Sequence, residues 1–375
     1  MQDLIQFAWT NGVSFVVILS IIVFVHEMGH YLVARWNGVR IEVFSIGFGP
    51  ELYGWNDRRG TRWKVSALPL GGYVKMAGES IAGAPQAPPP SNEHGDAFHT
   101  KRVGQRAAVV AAGPAANFLF AALVLAALFI AVGERVTPPE VSDVRAGSPA
   151  AAAGFQPGDL IRSIAGREIE RFEDIQDIVR TSPGVTLDVT VERAGALVDL
   201  RVTPNLVERE DRFGNVFQVG EVGIVRAGGV VYRPLDPASA VWAAVSDVWR
   251  ISAATLAAVG EMIGGARNAD ELGGPIRIAQ MSGQVAESGF MDVLWFMAVL
   301  SINLGLINLF PIPMLDGGHL VFYGYEALRG RPMGERAQEI GLKVGLALVV
   351  SLMLFATWND LVQLEVVSFF VNLVS

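Results

Sequence analysis

The sequence predicts a polytopic α-helical membrane protein of about four transmembrane helices, with a small β-structure beside the membrane and one α+β domain between the second and third spans. Three observations carry this prediction. Apolar residues make up 51% of the 375-residue chain and charged residues 18%, with a mean hydropathy of +0.38, a balance that points to several spans plus a smaller soluble part. Four apolar runs are each long enough to cross a hydrocarbon core of about 30 Å at ~1.5 Å per residue. Between the second and third of them the pattern changes to short β-forming stretches punctuated by Gly, Pro and Asp.

The first span occupies residues 1–36, apolar from Val13 to Trp36. Met1 to Gly12 carries Asp3 and no basic residue, and no small-residue cleavage site precedes His26, so the segment reads as a retained span rather than a cleaved signal peptide. Residues 37–106 form a loop in which Val39–Phe48, Arg62–Ala67 and Gly72–Met76 read as short strands. The first of these runs into Gly47-Phe48-Gly49-Pro50, and the Ala/Pro-rich Ile81–Gly95 reads as a flexible loop. The second span covers residues 107–133.

The α+β domain covers residues 134–230. A short helix and turn from Gly147 lead to a strand at Ile161–Ile164, and strands follow at Leu187–Arg193 and Val198–Thr203, with a helix at Phe172–Thr181 between them. Residues 231–290 include Val241–Gly265, which is apolar but broken by Asp247, Arg250 and Glu261. It reads as an amphipathic helix on the membrane surface, a fifth span being the alternative. The third span covers 291–313 and closes at Pro311 and Pro313, a loop covers 314–339, and 340–375 hold the fourth span and a C-terminal tail.

Basic residues near the span ends set the orientation. Arg35 and Arg40 follow span one, Lys101, Arg102 and Arg106 precede span two, and Arg329, Arg331, Arg336 and Lys343 lie between spans three and four. The positive-inside rule then places these loops in the cytoplasm, with both termini and the α+β domain outside. A net charge of −8 argues against a nucleic-acid partner. The chain has no cysteine, which excludes a disulfide framework and thiolate metal sites, so a metal must be held by His, Asp or Glu.

His26-Glu27-Met28-Gly29-His30 lies in the second half of span one. Residues four apart share a helix face, so two imidazoles can hold one Zn²⁺ while Glu27 serves as general base. Within a span such a cluster is costly, at ~2.5–3.5 kcal/mol per charge on insertion scales, which makes it functional by default. A catalytic zinc takes a third protein ligand. Trp36 stands where one soluble zinc-protease class has a third His. Glu51 stands near the distance another class uses, but after a Gly-Pro break that is no place for a helical ligand. The end of span three offers Asp316, with His319 as its rival; His94 and His99 sit in the polar loop.

Together these residues resemble the site-2 protease family of intramembrane zinc metalloproteases, nearest to its bacterial regulator-of-sigma-E protease branch. Four motifs in order carry the resemblance: His26 to His30, Gly71-Gly72-Tyr73-Val74-Lys75-Met76, Ala112-Gly113-Pro114-Ala115-Ala116-Asn117-Phe118, and Asn308 to Gly317. The resemblance implies Zn²⁺ held by His26, His30 and Asp316, with Glu27 catalytic and His319 beside the ligands. It implies that the strands after Trp36 form a membrane-reentrant β-hairpin. An exposed edge of that hairpin, near Gly47 and Gly49, pairs with the unwound substrate segment. Asn308 and Asn117 are expected to contact substrate backbone, the alternative for both being helix–helix hydrogen bonding. The outside domain resembles a single PDZ domain, with Val222, Gly223 and Ile224 as its peptide-ligand loop, where the best-known sigma-E enzymes carry two.

The function implied is an intramembrane zinc endopeptidase of a bacterial inner membrane. Its expected substrates are single-span membrane proteins, among them anti-sigma factors or remnant signal peptides, cleaved in regulated proteolysis. The competing readings are a non-enzymatic membrane adaptor presenting a PDZ domain and a transporter with an intramembrane His/Glu relay.

Overall fold

The computed structural model describes residues 2–78, 95–210, 216–226, 231–265 and 273–363. The loop read at Ile81–Gly95, His94 included, lies outside these residues apart from Gly95 itself. In chain order the first half holds α1 (Gln2–Trp36), β1 (Ile41–Asn56), β2 (Arg62–Met76), α2 (Val103–Ala131), β3 (Glu134–Val136), β4 (Val141–Val144), α3 (Pro149–Ala152), β5 (Leu160–Ile164), β6 (Arg167–Glu168) and α4 (Phe172–Arg180). There follow β7 (Leu187–Arg193), β8 (Ala196–Val202), β9 (Asn205–Glu210), β10 (Val216–Glu221), β11 (Ile224–Arg226), β12 (Val231–Arg233), α5 (Pro237–Ile263), α6 (Pro275–Ser288), α7 (Phe290–Asn308), α8 (Asp316–Arg329) and α9 (Glu335–Gln363).

Four of these helices are long and apolar enough to cross a membrane: Asn11–Trp36, Val103–Ala131, Phe290–Asn308 and Glu335–Val362. The chain is therefore a polytopic helical membrane protein with about four spans. It divides into two compact units. One comprises residues 1–126, 244–255 and 270–375, and the other 127–243 and 256–269.

In the first unit, glycines let the helices approach closely. A Cβ on Gly29 would stand 2.2 Å from the Ala112 carbonyl oxygen, and one on Gly305 would stand 3.1 Å from that of Pro114. Small residues thus bring α1 and α7 onto α2, the packing that membrane helices use where lipid removes the hydrophobic drive between them. Ser301 Oγ adds a hydrogen bond to the Asn117 carbonyl at 3.0 Å.

The strands beyond α1 differ from the three short ones expected. β1 and β2 are long, and each bends so that it pairs twice. Glu51–Asn56 runs antiparallel to Arg62–Ser66; Val43–Ile46 then lies beside Arg62–Val65 with residue numbers rising together, and beside Gly72–Lys75 in the antiparallel sense. The bends fall at Gly47 (φ 89°), Gly49 (φ 84°) and Gly71 (φ 151°), conformations that L side chains rarely adopt. Glu51–Asn56 escaped the sequence reading because Gly49-Pro50 interrupts the pattern, while its pairing is supplied by a segment on the far side of a turn. A stack of Phe44 on Trp63, with ring centroids 4.4 Å apart, and Tyr31 edge-on at 5.2 Å from Trp63 seat the sheet against α1.

Two further differences concern helices. The segment 314–339, expected as a loop, contains α8, whose first turn holds Gly317 and Gly318. These glycines permit close contact, since a Cβ on Gly317 would meet the Leu309 carbonyl oxygen at 2.2 Å. The amphipathic stretch 231–290 holds two helices, α5 and α6, rather than one. α6 begins where Asp360 of α9, 3% exposed, accepts from the backbone N–H groups of Gly274 (2.8 Å), Ile276 (3.0 Å) and Arg277 (3.0 Å), satisfying donors that a helix start leaves open.

The second unit is an α+β structure built on an antiparallel sheet of order β6-β5-β7-β8. Phe172, Ile175 and Val179 form the apolar face of α4 and pack with Ile161, Val189 and Val191 into the core. Asp159 is fully buried, and both its oxygens take a 2.7 Å bond from Arg193. Burial alone would raise its pKa, but the guanidinium and the Gln156 N–H outweigh that and hold the carboxyl below the usual carboxylate range.

Candidate metal centre

α1 carries His26, Glu27 and His30, at 7%, 8% and 8% exposure. The two histidines sit one helical turn apart and face α2, where Gly113 makes room for them; a Cβ there would lie 2.3 Å from His30 Nε2 and 2.9 Å from His26 Cε1. Each ring is held through its other nitrogen. His30 Nδ1 donates to the Val109 carbonyl at 2.9 Å, which leaves the Nε2 lone pair free to face inward. His26 Nδ1 lies 3.1 Å from the Asn117 side-chain amide. With the amide oxygen turned toward it, His26 takes the matching tautomer, and the otherwise unpartnered Asn117 Oδ1 gains a donor.

Asp316, at the first position of α8, completes the cluster. Its Oδ2 lies 3.2 Å from His26 Nε2 and 3.5 Å from His30 Nε2, and the two nitrogens are 3.2 Å apart. Zinc bonds of ~2.0–2.2 Å at tetrahedral angles put ligand atoms about 3.3–3.5 Å apart. The three atoms therefore match one face of such a tetrahedron. Two imidazole lone pairs and a buried carboxylate oxygen without a hydrogen-bond partner repel one another unless a cation sits among them, so the donor set fits zinc. Among the described residues this is the His/Asp/Glu group arranged to hold a metal.

Glu27 lies beside the cluster, close enough to interact electrostatically with His30, His26 and Asp316. It also meets the sheet segment Gly72–Met76, where the Val74 backbone N–H donates to its carboxylate and a Cβ on Gly72 would touch its Cγ at 3.0 Å. That segment pairs with β1 on one side and presents the other to Glu27.

The remaining sequence candidates fall in different places. His319 stands outside the cluster, its ring edge-on to Phe322 at 6.2 Å, and burial pushes its pKa down. Glu51 is paired with Arg62. Asn308 donates to the Leu304 carbonyl of its own helix at 3.0 Å. Asn117, fully buried, faces His26. Gly47 and Gly49 form the bend of β1. In the second unit, Val222, Gly223 and Ile224 line one wall of a groove of about 320 Å³ whose other wall is Phe172, Ile175 and Val179 of α4.

Sequence reasoning named Gly113 only as part of a motif, without its role of making room for the imidazoles, and missed the Val109 carbonyl. The Ala112–Phe118 motif holds one glycine, Gly113, and nothing local said what it packs against. Asn117→Ala is expected to lower zinc affinity ~10–100-fold while helix content is unchanged, because it frees the His26 ring from its orienting partner. Zinc titration against a competing chelator measures this, and an unchanged affinity would rule out the orienting role.

The model of peptidase family M50 matches residues 14–352. A candidate zinc metalloprotease of Agrobacterium fabrum is 46% identical over 360 residues, covering 94% of this chain and 96% of that protein. A similarly named protein of Rhizobium meliloti is 47% identical over 359 residues, covering 93% and 95%. Metalloprotease MmpA of Caulobacter vibrioides is 41% identical over 387 residues, covering 95% and 96%. Among solved structures, the PDZ domain of an SdrC-like protein of Listeria monocytogenes matches with a TM-score of 0.20 and 20% identity, over 25% of this chain and 93% of that one; a likeness of that size does not bear on the fold.

Proposed function

The chain belongs to peptidase family M50, and from that premise we propose that it is an intramembrane zinc endopeptidase cleaving transmembrane segments of single-span membrane proteins in regulated proteolysis. The observation that carries the reading is the convergence of His26, His30 and Asp316 on one point beside a buried Glu27, with both histidines inside an apolar span. An adaptor has no use for so costly a cluster.

His26, His30 and Asp316 would hold the metal, with Val109 and Asn117 fixing the imidazoles. Zinc bound there supplies Lewis acidity toward the scissile carbonyl and lowers the pKa of water toward ~7. Glu27 takes the proton of the attacking water and delivers it to the leaving nitrogen. A helical substrate hides its peptide bonds, so it must be extended before it can be cut. The outer segment Gly72–Met76 offers backbone groups to an added strand beside Glu27, which supports cleavage of an unwound segment along that edge.

The positive-inside pattern supports a bacterial inner-membrane location, with both termini and the α+β unit periplasmic and the metal site toward the cytoplasm. The groove between α4 and Val222–Ile224 supports a single PDZ-like unit that takes a peptide end, and thereby a substrate already trimmed outside, such as an anti-sigma factor or a remnant signal peptide. The test is a proteoliposome assay with a single-span substrate. Cleavage is expected to stop on chelation and return with zinc, and a soluble peptide matching the substrate's outer end is expected to compete. Chelator-resistant cleavage would refute the zinc assignment, and failure to compete would remove the groove from recognition.

A further inference from the structure

The zinc ligands come from two helices, α1 and α8, and the first turn of α2 is fastened to both. Gln105 Nε2 donates to Asn37 Oδ1 at 3.1 Å, just past the end of α1. The next residue, Arg106, is held at three points. Its Nη2 meets Glu326 Oε1 of α8 at 2.6 Å, its Nε donates to the Lys101 carbonyl at 3.1 Å, and its guanidinium lies 4.9 Å over the Tyr323 ring, also of α8.

This pair is more buried than several other ion pairs of the first unit. The side chains of Arg106 and Glu326 are only 16% and 15% exposed, whereas those of Arg40 and Asp96 are 52% and 38%, and those of Lys343 and Glu339 are 74% and 64%. Exposed pairs contribute little. A largely buried pair with a fixed fork geometry and a ring beneath it specifies one arrangement of its two helices.

Tyr323 lies two turns beyond Asp316, on the same face of α8. At the other end α8 rests on glycine contacts at Gly317 and Gly318, which limit distance but not roll. A roll of ~20° at a side-chain radius of ~5–6 Å moves an atom by about 2 Å, ten times the ~0.2 Å tolerance of a metal bond. We propose that Arg106 is a positioning residue for the metal centre. By holding Glu326 and Tyr323 it fixes the roll of α8 and keeps Asp316 Oδ2 in register with the two imidazoles, which α2 holds through Val109 and Asn117. The inference rests on the zinc reading above.

The test uses the full chain in detergent and times zinc loss to an excess of chelator. Arg106→Ala and Glu326→Gln are each expected to speed zinc release ~10–100-fold, as changes to outer partners of metal ligands do. The double variant should be no faster than the faster single one, and Arg102→Ala, an exposed neighbour, should match wild type. Wild-type release rates in both single variants would overturn the inference, as would effects that multiply in the double variant. Thermal unfolding of the chelated proteins guards against a general loss of fold. If the zinc-free variants lose as much stability as the zinc-loaded ones, the pair is structural only and the inference falls. A wild-type protein that retains no zinc would instead refute the metal reading itself.

Discussion

Glu27→Gln is expected to abolish peptide-bond cleavage while zinc content stays at the wild-type level. Glutamine has nearly the shape of glutamate, and its carbonyl oxygen can still accept from the Val74 N–H, so neither the packing of α1 nor the edge segment need move. What is lost is the ability to take a proton. General-base catalysis contributes ~10²–10⁴-fold, and here the same group also reprotonates the leaving nitrogen, so residual cleavage below about one part in a thousand is expected. The geometry makes the separation clean, because the three ligand atoms come from His26, His30 and Asp316 and not from Glu27. Cleavage of a single-span substrate in proteoliposomes, measured beside metal analysis of the same preparation, tests it. A variant retaining a tenth or more of wild-type activity would exclude Glu27 as the base, and one that lost its zinc would show Glu27 to be part of the metal shell. In cells, single-span proteins should accumulate in membranes bearing the variant.

How much of this was legible in the sequence depends on how local each feature is. A span is a property of some twenty consecutive residues, and all four were readable. His26, Glu27 and His30 were readable because helical spacing and the cost of burying them act within one turn. Asp316 was not reachable from spacing. The residues left it open against His319, and the family resemblance favoured it; the fold separates the two, placing Asp316 Oδ2 between the imidazoles and the His319 ring against Phe322. Asn117 was read as a substrate contact or a helix–helix hydrogen bond, and it faces a ligand on the neighbouring helix. The strand at Glu51–Asn56 and the helix from Asp316 were hidden by Gly-Pro and Gly-Gly pairs that usually end elements. Here those residues serve bends and close contacts whose partners lie far off in the chain.

A second large effect is expected at Gly345, which touches none of the ligands. α9 crosses the turn before Asp316 at two glycines one turn apart. A Cβ on Gly345 would lie 1.5 Å from the Pro313 carbonyl oxygen, and one on Gly341 would lie 3.3 Å from Phe322 and 3.7 Å from Pro313 Cγ. From the other side, a Cβ on Gly318 would lie 2.6 Å from Pro313 Cα. Pro313 is thus clasped between α8 and α9, and the next residue, Met314, is held at φ 123°, a conformation that persists only where its surroundings impose it. Leucine at 345 cannot fit without parting α9 from the turn. That displacement frees Met314 to relax and carries Asp316, two residues on, out of reach of the imidazoles. Overpacking of this kind costs ~1–3 kcal/mol or more, and with the third ligand displaced, zinc affinity should fall by about 100-fold or more and cleavage with it. Gly324→Ala is the control, since its added methyl meets nothing within 4 Å and should leave both unchanged. The spacing of Gly341 and Gly345 is visible in the sequence as a small-residue pair, but its partner, a carbonyl in the turn that presents a metal ligand, is supplied only by the fold. A Gly345→Leu protein that binds zinc and cleaves substrate at wild-type rates would show that α9 plays no part in holding Asp316.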